Sequence, residues 1–71
     1  MKVTLKVRFN ASSEKFEKFN NGMYLVYIPF EQDAQSANLL KELISRKLGI
    51  PMNRVSFEGI SSVTKNWIFE I

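Results

Sequence analysis

Neither cysteine nor histidine occurs in this chain of 71 residues. Their absence removes disulfide staples, thiolate nucleophiles, imidazole acid–base work and the usual ligands of zinc. A reducing compartment is compatible with such a composition. Glycine occurs three times and proline twice, too few for a flexible linker or a low-complexity tail, and there is no internal repeat. Long apolar runs are also missing: the longest, Met23 to Phe30, is about a third of what a membrane-spanning helix requires. The first eight residues alternate apolar side chains with charged or polar ones, unlike a targeting segment. The expectation is a soluble, cytoplasmic protein without a membrane partner. Charge of one sign is in mild excess, with a net charge of +3, which permits attraction to nucleic acid or acidic surfaces without demanding it.

What the chain does contain is one long periodic stretch, Asp33 to Pro51. Ala37, Leu40, Leu43, Ile44 and Leu48 recur at three- and four-residue steps, which gathers them, with Leu39 at the margin, on one side of a helix. Asn38, Glu42, Ser45 and Arg46 fall on the other side. Asp33 or Ser36 can cap the start, Arg46 and Lys47 suit the negative C-terminal end of the helix dipole, and Gly49 with Pro51 is a stop signal.

The remaining segments read as strands. Val3, Leu5, Val7 and Phe9 alternate with Lys2, Thr4, Lys6 and Arg8, giving one dry side and one cationic side. Glu14 to Phe19 fits neither period; Phe16 and Phe19 can anchor a short strand or one helical turn. Asn21-Gly22 suits the positive φ values of a type I′ hairpin turn. Met23 to Pro29 is a second strand, with Tyr24, Val26 and Ile28 inward and Leu25 and Tyr27 outward. Val55 to Glu58 is a third, with Val55 and Phe57 inward. Gly59 to Val63 is a serine-rich loop, and Thr64 to Ile71 is a last strand with Trp67, Phe69 and Ile71 inward. The expected fold is α+β: a single domain over residues 1–71, a two-layer ββαββ sandwich with one helix packed on one face of a four-stranded mixed sheet. Its core takes in Val3, Leu5, Val7, Phe9, Tyr24, Val26, Ile28, Val55, Phe57, Trp67, Phe69, Ile71 and the apolar side of the helix.

Ala11-Ser12, Asn21-Gly22, Leu48-Gly49-Ile50-Pro51, Gly59, Ser62 and Lys65 stand at places where the YggU-like family of small uncharacterised proteins carries its motifs, and the chain resembles that family along nearly its whole length. The family's Ala-Asn at the helix lead-in matches either Ala37-Asn38 directly or, when the apolar helix positions are aligned, Ser36-Ala37. The resemblance implies two strands, a helix and two strands, and implies no activity. The Gly49-Ile50-Pro51 exit, followed by Arg54, Phe57 and Gly59, also looks like the same segment of ubiquitin-like β-grasp folds. The short connection after it and the absence of a diglycine end speak against a conjugated modifier.

Three places can carry chemistry. The sheet side away from the helix presents Lys2, Lys6 and Arg8 beside Leu25, Tyr27 and Ile68: cations for phosphates and an aromatic for stacking on bases, or an apolar patch for an unknown protein partner or for self-association. Alternating lysines also simply keep a strand solvated. The loop of Gly59, Ser61, Ser62 and Lys65 offers small hydroxyl residues and a cation to an anion, though it lacks the glycines of a phosphate-binding loop. A nucleophilic pair of Ser61 or Ser62 with Lys65 there requires a buried lysine. Glu31 and Asp33 precede the helix, where capping and solvation account for them better than metal binding. No catalytic residues, cofactor or metal ligands are expected, and the chain reads as a non-enzymatic binding module.

Overall fold

The computed structural model describes residues 1–71. It contains β1 (Lys2–Arg8), β2 (Lys15–Asn20), β3 (Met23–Tyr27), α1 (Ser36–Leu48), a 3-10 turn at Met52–Arg54, β4 (Ser56–Ile60) and β5 (Trp67–Glu70). The five strands form one mixed sheet in the order β2-β3-β1-β5-β4. β1 is central, parallel to β3 and antiparallel to β5. The α+β class and the single helix agree with the sequence reading; the strand count does not, because residues 15–20 form a fifth strand at the sheet edge.

The pattern of β2 hid it. Of its residues only Phe16 is half-buried, opposite Val26 and 5.0 Å from the Tyr24 ring, while the rest face solvent. An edge strand with one inward anchor has no dry side to display as a period of two. Phe16 and Phe19, three residues apart, are out of step for a period of two, and a bulge at Phe19 shifts the register between Lys18 and Asn20. The hairpin at Asn21-Gly22 forms, but only Gly22 takes a positive φ, of 70°, so the turn is not type I′; the bulge supplies the twist instead.

One side of the sheet packs on α1. Val3 and Leu5 of β1, Val26 and Ile28 from the β3 segment, Trp67 and Phe69 of β5, and Val55 bury against Leu40, Leu43 and Ile44 of the helix. Each large apolar chain so buried contributes roughly 1.5–3 kcal/mol. Val7, Phe9, Tyr24, Leu39, Leu48 and Ile71 are half-buried at the margin. Phe57 departs from the expected core: it is 40% exposed, because β4 is the other edge strand and has no strand beyond it to cover its outer flank. It stacks instead on Trp67 and Phe69, at 5.4 and 5.2 Å between ring centres.

The helix ends as its residues dictate, with Gly49 left-handed at φ 67° and its N–H donated to the Ser45 carbonyl. Its start is less direct. Gln35 occupies the cap position without a side-chain bond, while Asp33 Oδ1 accepts from the Gln35 N–H at 2.8 Å and Ser36 Oγ accepts from the Asp33 N–H at 2.9 Å. Asp33 and Ser36 thus stabilise the turn leading into the helix. β4 runs on to Ile60, two residues beyond the expected end of that strand, so Gly59 lies inside it, opposite Ile68 at a bulge. No helix is long and apolar enough to cross a membrane.

Candidate functional site

With α1 on one side of the sheet, no helix covers the other. Side chains alternate along each strand, so β1 turns Lys2, Thr4, Lys6 and Arg8 to this open side, β3 turns Met23, Leu25 and Tyr27, and β5 turns Ile68 and Glu70. The strand registers order them in rows. Lys15, Tyr27 and Arg8 form one row, Glu17, Leu25 and Lys6 the next, and Met23, Thr4 and Ile68 a third. The inward–outward assignment of Tyr24 to Ile28 expected from the sequence holds, and Leu25 and Tyr27 lie directly beside Lys6 and Arg8. The cations are exposed, whereas Thr4, Met23, Leu25, Tyr27 and Ile68 are half-buried among their neighbours.

The charges on this side do not all stand free. Lys15 lies 3.8 Å from Glu17 and 5.9 Å from the centre of the Tyr27 ring. The N-terminal ammonium lies 2.9 Å from Glu70, which is also in register with Lys2. Lys6, Arg8 and Lys65 make no ion pair, and all three line a single open cleft of about 310 Å³ with Val7, Phe9, Thr64 and Asn66. No carboxylate lines it.

The topology makes this cleft. Trp67, the first residue of β5, pairs with Leu5, so the last three residues of β1 extend beyond β5 and border the preceding loop instead. That loop folds back on itself: Ser61 and Asn66 close it through the Ser61 N–H and the Asn66 carbonyl at 2.9 Å, and Lys65 adopts a left-handed φ of 65°. Lys65 is thereby brought to the end of β1.

Two separate candidates from the sequence therefore meet in part. Lys6 and Arg8 of the sheet side and Lys65 of the loop share the cleft, while Lys2 lies at the opposite end of β1 next to Glu70. Leu25 and Tyr27 adjoin the cleft through their β1 partners; Ile68 sits across Thr4. Gly59 is held in β4, and Ser62 is exposed outside the cleft lining. Ser61 Oγ accepts from the N–H groups of Val63 and Thr64 at 3.3 and 3.2 Å, and the Asn66 N–H donates to Thr64 Oγ1 at 3.3 Å. These amides serve the turn, so the cleft's attraction for anions rests on side-chain cations rather than on a backbone nest. Lys65 is exposed, not in the low-dielectric pocket that a general-base lysine needs.

Thr64 and Asn66 were not singled out by sequence, nor was Lys15 beside Tyr27; their signal is the strand pairing, which is non-local. Glu31 and Asp33 are exposed, Asp33 bonds the helix lead-in, and no three of the acidic side chains gather where they could hold a metal ion. No protein-family model, curated protein or solved structure matches this chain.

Proposed function

We propose that this protein is a non-enzymatic module that binds single-stranded nucleic acid, RNA in the first instance, across the open side of its sheet. The observation that carries this reading is the cleft in which Lys6, Arg8 and Lys65 converge without a carboxylate or an ion-pair partner. A nucleic acid carries a condensed atmosphere of counterions, and unpaired protein cations that neutralise its phosphates release those ions to solvent, with a gain in entropy. Tyr27, next to Arg8 in register, provides an aromatic ring of this side on which a base can stack. Because cations outnumber exposed rings there, recognition would be dominated by the backbone and tolerant of sequence.

The test is the fluorescence anisotropy of a labelled oligouridylate at several salt concentrations. With three phosphate contacts the slope of log K against log salt is about −2, so affinity falls roughly 20-fold between about 50 and 200 mM salt. Each of Lys6→Ala, Arg8→Ala and Lys65→Ala lowers the magnitude of the slope by about 0.7. Absence of binding at low salt, or a slope unmoved by these changes, overturns the reading.

A second reading rests on a different observation, the half-buried apolar patch of Met23, Leu25 and Ile68 around Thr4. A protein seated there would lose affinity in Leu25→Ser and Tyr27→Ser and would show little dependence on salt.

A further inference from the structure

The free edge of β2 carries a charge pattern that is complementary to itself. β2 pairs only with β3, so its outer backbone groups have no strand partner. Entering and forming it are Glu14, Lys15, Phe16, Glu17 and Lys18. If a second copy lies antiparallel to this edge about a two-fold axis at Phe16, Phe16 meets Phe16, Lys15 meets Glu17 of the partner, and Glu14 meets Lys18 of the partner. The axis repeats each charged pair, so four opposite-charge contacts flank one aromatic contact.

The faces agree as well. Residues directly opposite each other in an antiparallel pair share a side of the sheet. Lys15 and Glu17 both point to the open side, opposite Tyr27 and Leu25, while Phe16 and Lys18 point to the helix side, opposite Val26 and Tyr24. Neighbouring registers fail. An axis at Glu17 sets Glu17 against itself, an axis at Lys18 or Lys15 does the same for a lysine, and an axis between residues sets one face against the other.

Proteins guard exposed edges with bulges, prolines and charged side chains, lysine above all; β2 carries Lys15 and Lys18, and in this register each meets a glutamate of the second copy. The bulge here falls at Phe19, after the segment, and pairing from Lys15 to Lys18 is regular. No proline interrupts β2.

We infer that two copies of this chain associate edge to edge through β2, in antiparallel register about Phe16, joining their two five-stranded sheets into one continuous sheet. The intramolecular Lys15–Glu17 contact at 3.8 Å gives way to the reciprocal pairs across the axis. The two rings of Phe16 meet between the Tyr24 rings that each already touches. Because the axis is perpendicular to the sheet, both open sides face the same way, and the two β1 strands stand five strand spacings apart, roughly 24 Å. The inference is independent of what that open side binds.

Charge swapping tests it, read by sedimentation equilibrium of the full chain from micromolar to millimolar concentration. The wild type is expected to dimerise reversibly. Lys15→Glu alone and Glu17→Lys alone each turn two attractive pairs repulsive and weaken the dimer about tenfold or more. An equimolar mixture of the two single variants regains association as a heterodimer, since each then supplies the charge the other lacks, and the double variant Lys15→Glu/Glu17→Lys regains it as a homodimer. A wild type that stays monomeric at millimolar concentration overturns the inference. So does a dimer indifferent to both single changes, or a mixture no tighter than its components. Unchanged circular dichroism of the variants shows that the substitutions, all at exposed positions, leave the fold intact.

Discussion

Gly22 is the position where a single atom has the least room. Its φ is 70°, its carbonyl accepts the Thr4 N–H at 2.7 Å, and an added Cβ would stand 3.2 Å from the Lys2 carbonyl oxygen. Gly22→Ala therefore combines left-handed strain with a crowded backbone, and it is expected to lower stability by about 1–2 kcal/mol, read as a shift of the urea midpoint at constant slope. Ser36 is a smaller case. Its side chain is buried and its hydroxyl accepts the Asp33 N–H, so Ser36→Ala leaves that donor without its partner and costs about 1 kcal/mol, with helix content near wild type at low denaturant. At this scale the sequence shows residue types but not their neighbours. Asn21-Gly22 announces a turn; that Lys2 presses on it follows only from the parallel pairing of β1 with β3.

Among the elements, the helix and the β2 edge make opposite cases. Leu43 is 1% exposed at the centre of the core, and Leu43→Ala is expected to cost 2–5 kcal/mol. For a domain of this length, total stability is itself roughly 4–11 kcal/mol, so the variant loses a large share of it, read as a lowered midpoint in a thermal melt. Phe16→Ala, at a half-buried edge position, costs less, about 1–2 kcal/mol. The helix was legible because its five apolar residues recur on one side of a local coil, a pattern that needs no knowledge of the rest of the chain. β2 was not, since a strand that anchors a single ring has no repeat to read. Phe57 failed for a related reason: alternation marks the side of the sheet a residue faces, but how far it is covered depends on the place of β4 at the edge, with no strand beyond it.

For the molecule as a whole, one helix on a five-stranded sheet leaves a full side open, and three unpaired cations, Lys6, Arg8 and Lys65, collect at one end of it. Fold and binding should therefore respond differently to salt. The two ion pairs are exposed and worth at most about 1 kcal/mol each, so raising salt to about 1 M is expected to move the urea midpoint little, while affinity for the oligouridylate collapses. Comparable losses of both would mean that the cations serve the fold. By itself, the sequence determined the presence of the helix, its stop at Gly49 and its apolar side. It determined as well which residues of β1, β3 and β5 face inward and which cations face out, because each of these follows from a short-range period in side-chain direction. The tertiary structure alone decided the strand order, the fifth strand, and the meeting of Lys65 with Lys6 and Arg8. Those depend on hydrogen-bonded registers between segments far apart in the chain and on where β5 begins beside β1, and no local repeat carries that information.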